Sequence, residues 1–463
     1  MEQSGAYGLP FGLYVRRDDI DEVLRRNGLA YRQRVFDPAT TIWTWMAQIA
    51  SQDRSCRHAV ARVVAHRAAH GLSASAGTGG YVQARQRLDV RVIRDLARGL
   101  AVQVHGRRYL WPVFPRPVVI VDSTCLSGPD TTSNQLIYPQ YGGQADGLGF
   151  PAIKSLLAVC LDSAVILDAT ISPIRGFGTH DVMLVHEVAD WLPHGCLVVG
   201  DRAFGSYWNF AMMKARSVDF LARQRKGQDY RRARHLRHLK AHDHVYCVPR
   251  PEYKPKWMSA EEYGAFVPEI ELRVCAVRDD PRVHVRSHNA SRADRIRLLT
   301  TETTGEIRRA DLGALYRRRW DIEVDIRSFK IDLGADILRC QTSEMLEKEL
   351  WMTVLTYNAV RALMADAAQP NNLHPRQLSF KGALQAIQAF GPMLDRAHAQ
   401  DQPNLIHRLH TAIASHIVGN RPDRIEPRAV KRRPKPHNLL SVPRDRARKL
   451  AFRERISMNS TNC

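Results

Sequence analysis

YRRRWDIEVDIRSFKIDLG, running from Tyr316 to Gly334, reads as one helix-sized segment with a divided surface. Tyr316, Arg319, Glu323 and Lys330 sit at offsets of 0, 3, 7 and 14, which at ~100° per residue falls within roughly 60° around a helix. Trp320, Ile322, Ile326 and Phe329 line much of the other side and are expected to pack inward. The polar stripe therefore holds one carboxylate beside two cations and a phenol. A lone surface helix has no need of that set; a metal-binding carboxylate working next to anionic phosphates does.

Upstream, two short buried runs each end on an acid. Val118-Val119-Ile120-Val121 leads into Asp122, and Cys196-Leu197-Val198-Val199, followed by Gly200, leads into Asp201. Strand-like segments over residues 155–161 and 164–172 and a helix-compatible stretch over 181–192 lie between them. The order strand, strand, strand, helix, strand predicts a mixed α/β core. In open α/β sheets ligands collect at strand C-termini, where Asp122 and Asp201 stand. With Glu323 they make three hard oxygen donors, enough to hold a pair of Mg²⁺ ions that keep water and substrate phosphates as remaining ligands. Two ions ~3.5–4 Å apart suit an in-line phosphoryl transfer. Each acid taken singly is equally readable as a cap, turn or ion-pair residue.

The charge agrees with a polyanionic partner. The 463 residues carry 68 Lys+Arg against 47 Asp+Glu, a formal net charge of +21, with a hydrophobic fraction of 44%. Nucleic acid is the first candidate and an anionic membrane surface the lesser one. The longest apolar stretch, around residues 156–171, is broken by Asp162, Ser163 and Asp168 and is too polar to span a bilayer. The N-terminus lacks the pattern of a secretory signal. The eight cysteines are scattered with no C-x-x-C, which reads as a reduced intracellular chain. Neither a phosphate-binding G-x-x-x-x-G-K-[ST] loop nor a strand-linked G-x-G-x-x-G is present.

Residues 1–105 read as mostly helical: a helix opened by Asp37-Pro38, another over 55–70, the turn-rich break GLSASAGTGG, and an Arg-rich helical stretch over 82–100. Short alternating segments VYCV, IELRVCAV, VHVR and IRLLTT between 244 and 301 predict an antiparallel β insertion. Residues 343–367 have leucines and valines at helical spacing. The tail from Arg421 to Lys449 has eleven Lys/Arg, three acids and five prolines, a composition that reads as an extended arm.

Tyr316-x2-Arg319-x3-Glu323-x6-Lys330 resembles the Y-R-E-K signature of the DDE transposases of the insertion sequence 4 family, with all four positions at the family spacing. VDST around Asp122 and GDRAFGSYW around Asp201 resemble that family's first and second acid motifs, and the likeness extends over roughly residues 35–440. The resemblance implies an RNase H-like mixed-sheet core, with a β-rich insertion before the Glu helix. Glu323 lies 122 positions after Asp201, and the strand-like segments that fill this gap ask for the same insertion. The expected organisation is a helical DNA-binding domain over 1–105, core over 106–222 and 306–367, insertion over 223–305, and a helical, basic C-terminal region over 368–463. The resemblance further implies cut-and-paste transposition in the bacterial cytoplasm at the nucleoid. Asp122, Asp201 and Glu323 would hold Mg²⁺ or Mn²⁺, and Tyr316, Arg319 and Lys330 would contact the DNA end. A second copy would complete a synaptic complex on terminal inverted repeats and target DNA. A domesticated nuclease and a DNA-binding descendant without chemistry are the competing readings.

Arg202, Arg223 and Arg225 are candidate phosphate contacts, with a solvated basic loop as the alternative. Trp257 is readable as a base-stacking ring but more simply as core. His235, His238, His242 and His244 lie among arginines that would repel a metal ion.

Overall fold

Core helices and strands follow from burial periodicity, and their ends from local capping. The computed structural model describes residues 10–106, 114–176, 179–225, 227–228, 233–278, 295–419 and 439–460. The N-terminal helices are α1 (Arg17–Arg26), α2 (Pro38–Ala50), α3 (Cys56–Ala69), α4 (Gly79–Arg87) and α5 (Val90–His105). Asp37 caps α2 by accepting the Thr40 N–H at 2.7 Å, and Pro38 is pre-set for the first helical turn. The single helix expected over 82–100 is two: the Asp89 carboxylate accepts the Arg91 N–H and starts α5 afresh after the extended Leu88.

The core strands are β1 (Val118–Ser127), β2 (Ala152–Cys160), β3 (Ile166–Ala169), the two-residue β4 (Ser172–Pro173), β5 (Leu197–Gly200) and β6 (Asp219–Arg223). Helix α6 (Thr132–Ile137) follows β1, α7 (Asp181–Val188) precedes β5, and α8 (Tyr207–Ala215) follows it. β1, β2 and β3 form an antiparallel meander; β5 lies parallel to β1, and β6 parallel to β5. The spatial order β3-β2-β1-β5-β6, three antiparallel strands followed by two parallel ones, is an RNase H-like arrangement.

Four further strands, β7 (Arg234–Lys240), β8 (Asp243–Pro249), β9 (Glu269–Arg278) and β10 (Arg295–Thr300), form an antiparallel meander, with α9 (Ala260–Ala265) between β8 and β9. They are an insertion in sequence only. β10 pairs with β6 (Leu298 opposite Arg223), so the meander continues the core sheet across ten strands. The strand expected at VHVR, residues 283–286, lies outside the described residues, as does most of the basic tail.

After the insertion come α10 (Arg309–Arg317), α11 (Asp321–Arg327), α12 (Ser343–Ala368), α13 (Phe380–Arg396), α14 (Gln402–Ser415) and α15 (Arg444–Ser460). α12 is buried on nearly every side, as an element apolar all round must be. It packs against α5, α2 and α14 and against β3, so one continuous core runs from Phe11 to Ile413. The N-terminal helices share that core, and the change near residue 105 is one of secondary structure.

Candidate active site

The Tyr316–Gly334 segment is not one uniform α-helix. α10 ends at Arg317, a 3₁₀ turn covers Arg318–Trp320, α11 follows, and a π-turn closes it at Ser328–Asp332. At ~100° per residue Trp320, four positions after Tyr316, lies about 40° from it and so on the polar side. Ile322 and Phe329 are fully buried and Ile326 partly so, but Trp320 points outward, 42% exposed, against the expectation. Its ring takes the Arg319 guanidinium at 4.6 Å. π-turns in helices concentrate at functional sites.

Strand register sets the two aspartates side by side. Val121 pairs with Gly200 on the neighbouring parallel strand, so Asp122 and Asp201 are the next residue on each. Asp122 accepts the Ser123 N–H at 2.8 Å, and Asp201 accepts the Ala203 N–H at 2.6 Å as the cap of a 3₁₀ turn. Burial pushes the Asp122 carboxyl up to about 6, and the charges of Asp201 and Glu323 push the same way; the Ser123 N–H and Arg319 oppose them. Arg319 lies 4.0 Å from Asp122, with its Nε buried and without a hydrogen-bond partner among the described residues. Glu323 is exposed on α11, which packs against β1.

Tyr316 is buried, its phenol pKa raised by that burial, and feels Arg319, Arg223 and Asp201. Arg223, at the end of β6, thus belongs to the same neighbourhood. Lys330 donates from Nζ to the Cys125 carbonyl at 2.7 Å, tying the π-turn to the end of β1. Arg202 is exposed.

Arg225 is engaged elsewhere than on a free surface. Its Nε donates to the Arg202 carbonyl at 2.9 Å and its Nη2 to the Ala203 carbonyl, bracing the turn that Asp201 caps. Arg225→Met is expected to lower turnover on DNA by about 10–100-fold, the range for residues that orient a site from outside, with DNA affinity nearly unchanged. Fluorescence-anisotropy binding beside single-turnover cleavage checks this; a loss confined to affinity would make Arg225 a phosphate contact.

Three carboxylates are hard oxygen donors, and the negative charges of Asp201 and Glu323 acting on the partly buried Asp122 carboxyl favour a bound cation. The donor types suit a divalent metal ion, although among the described residues no three His, Cys, Asp or Glu side chains form a group that could hold one as they stand. Trp257 is partly buried against the core and edge-on to His186 at 5.9 Å. His235, His238 and His244 share ring contacts on the β7–β8 hairpin, with His235 Nε2 and His244 Nδ1 3.3 Å apart.

Sequence reading missed Ser123, Lys154 and Asp181 behind β1, and Asp325, Arg361 and Arg376 beneath α11. Lys154 Nζ lies 2.7 Å from Asp181, and Asp325 takes ion pairs from both arginines. No local pattern marks such partners, which meet only across distant elements.

An RNase H-like sheet with acids on adjacent parallel strands, and a third acid on a later helix packed against the first strand, defines a polynucleotidyl-transferase class of enzyme. Residues 114–359, more than half of the chain, match the family described as Transposase DDE domain. The chain is 24% identical over 370 residues to the transposase InsG for insertion sequence element IS4 of Escherichia coli (strain K12), covering 76% of each chain. A cryo-EM structure of the piggyBac transposase synaptic complex with hairpin DNA aligns with a TM-score of 0.44 at 11% identity, over 90% of this chain and 87% of that one. The chain belongs to the DDE transposases, in the insertion sequence 4 family. No helix among the described residues is long and apolar enough to cross a membrane.

Proposed function

We propose that this transposase cuts and rejoins DNA at the ends of its own element, with Asp122, Asp201 and Glu323 as the catalytic carboxylates. The observation that carries the reading is the register of β1 and β5, which makes Asp122 and Asp201 neighbours, together with the charge of Glu323 acting on the same Asp122 carboxyl. Asp122, Asp201 and Glu323 would hold Mg²⁺ or Mn²⁺, two ions by the logic of in-line displacement. When bound, these ions supply Lewis-acid stabilisation of the attacking and leaving oxygens.

The remaining work falls to the chain's own groups. Arg319, with an unpartnered Nε beside Asp122, is placed to hold a phosphate oxygen. Tyr316 offers a phenol beside Arg319 and Arg223, and Arg223 adds charge on the β6 side. Lys330 holds the π-turn on β1, which fixes Glu323 relative to Asp122. The burial of Asp122 and Tyr316 strengthens every charge interaction at the site. Two copies would pair the two ends.

The test is cleavage of a supercoiled plasmid carrying the element's ends, with Mg²⁺ or Mn²⁺ and with a chelator. End-specific, metal-dependent cuts followed by joining support the reading; cutting without joining would leave a nuclease. Affinity for end DNA should fall with salt, at about −0.9 in log K per log salt for each phosphate contacted. With six phosphates the slope is about −5, and a slope shallower than about −2 would contradict an extended basic interface.

A further inference from the structure

A hydrogen-bonded chain runs behind the first catalytic strand. Lys154 on β2 stands opposite Cys125 of β1, and Leu156 opposite Ser123, so Lys154 and Ser123 share one face of the sheet while Asp122 is on the other. Lys154 Nζ lies 2.7 Å from Asp181 Oδ1 and donates to the Thr179 carbonyl at 3.1 Å. The same Asp181 oxygen accepts the Ser123 hydroxyl at 2.7 Å, and the Ser123 N–H donates to Asp122 Oδ1 at 2.8 Å. The Lys154 side chain is only 16% exposed and that of Asp181 28%, which makes this more than a surface ion pair.

We propose that Lys154 is a positioning residue for Asp122, acting through Asp181 and Ser123; the inference rests on the function proposed above. Asp181 is the first residue of α7, so the chain joins β2, α7 and the middle of β1, where Asp122 and Ser123 lie. An ammonium suits this place because its three donors can serve the Asp181 carboxylate and the Thr179 carbonyl together. Its charge also neutralises Asp181, which would otherwise add a further uncompensated carboxylate behind Asp122, Asp201 and Glu323. With Asp181 held, the Ser123 hydroxyl has one partner, and the peptide whose N–H orients Asp122 is fixed from the reverse face.

The experiment is a double-mutant cycle on the full-length protein with Lys154→Met, Asp181→Asn and both together, with Lys154→Arg and Ser123→Ala alongside. Three quantities are read: affinity for end DNA, kcat and KM for cleavage, and Mn²⁺ affinity from water-proton relaxation. Positioning predicts that each single substitution lowers kcat by about 10–100-fold with KM within about twofold of wild type. The double variant is then no worse than either single, because both remove one chain. Lys154→Arg recovers part of the loss. Should Lys154→Met fail to fold, Ser123→Ala keeps the ion pair, cuts the link and should still lose about tenfold in kcat.

A tenfold loss of DNA affinity with kcat retained would make Lys154 a phosphate contact and overturn the proposal. So would Mn²⁺ affinities that move in opposite directions in the two singles, the mark of a simple charge effect, or kcat losses that multiply. If wild type leaves the ends uncut, the proposed function fails by itself. The cycle is then read in Mn²⁺ affinity alone, where both singles must weaken binding about tenfold and the double no further.

Discussion

Glu323→Gln is expected to abolish end-specific cleavage, with a drop on the order of 10³-fold or more, while end DNA is still bound. That exceeds the ~10–100-fold typical of residues that act one step removed from a reacting centre. The substitution keeps the shape of the side chain and removes its charge. Glu323 is exposed on α11, so its replacement leaves the core beneath it intact. Its charge acts on Asp122, which already pairs with Arg319 at 4.0 Å, so its loss leaves two aspartates where three carboxylates stood. Plasmid cleavage and anisotropy binding on one preparation separate chemistry from recognition. Equal cutting by variant and wild type would place the active site elsewhere, and loss of binding with loss of cutting would make Glu323 a structural residue.

Asp325→Ala should be the most destabilising change near the site. Asp325, two residues after Glu323, faces the opposite way and is 2% exposed. Its carboxylate accepts Arg361 Nη2 at 2.9 Å and Arg376 Nη2 at 2.8 Å, with the Tyr357 hydroxyl at 3.4 Å. Arg361 also lies over the Tyr357 and Phe380 rings, and Arg376 reaches the Cys160 and Leu161 carbonyls. One carboxylate thereby fastens α11 to α12, to the turn before α13 and to the end of β2. Removing it strands two buried guanidinium groups, at a cost of about 3–5 kcal/mol. Chemical denaturation followed by circular dichroism measures this. Asp325→Ala combined with Arg361→Met should recover part of the loss, since one stranded charge is then gone. A cost below about 1 kcal/mol would mean that water or neighbouring dipoles already compensate the arginines.

Asp122 and Asp201 are legible because each follows a run of buried apolar residues, which is a local statement about a strand; the expectation that both stand at strand C-termini holds for Asp201 alone, since Asp122 is the fifth of the ten residues of β1, which continues to Ser127 against β2. The Tyr316, Arg319, Glu323 and Lys330 spacing was legible because helical periodicity is local too. The inward expectation for Trp320 fails on the same periodicity: four positions after Tyr316, at ~100° per residue, it lies about 40° from that residue and on the polar side of the helix. The β meander was legible strand by strand, but its union with the core sheet was not. Pairing of β10 with β6 joins residues about 75 positions apart, and nothing in either strand names its partner.

By itself, then, the sequence determined the α/β class, the two aspartates that follow buried runs, the Y-R-E-K spacing and the basic character that suits DNA, since all of these rest on composition or short-range period. Only the tertiary structure decided that Asp122 and Asp201 are neighbours, that Arg225 braces a turn, that Asp325 anchors the Glu323 helix and that Lys154 is linked to Asp122 through Asp181 and Ser123. These depend on strand register and on hydrogen bonds between groups remote in the chain, whose energies exist only after the chain has closed around them.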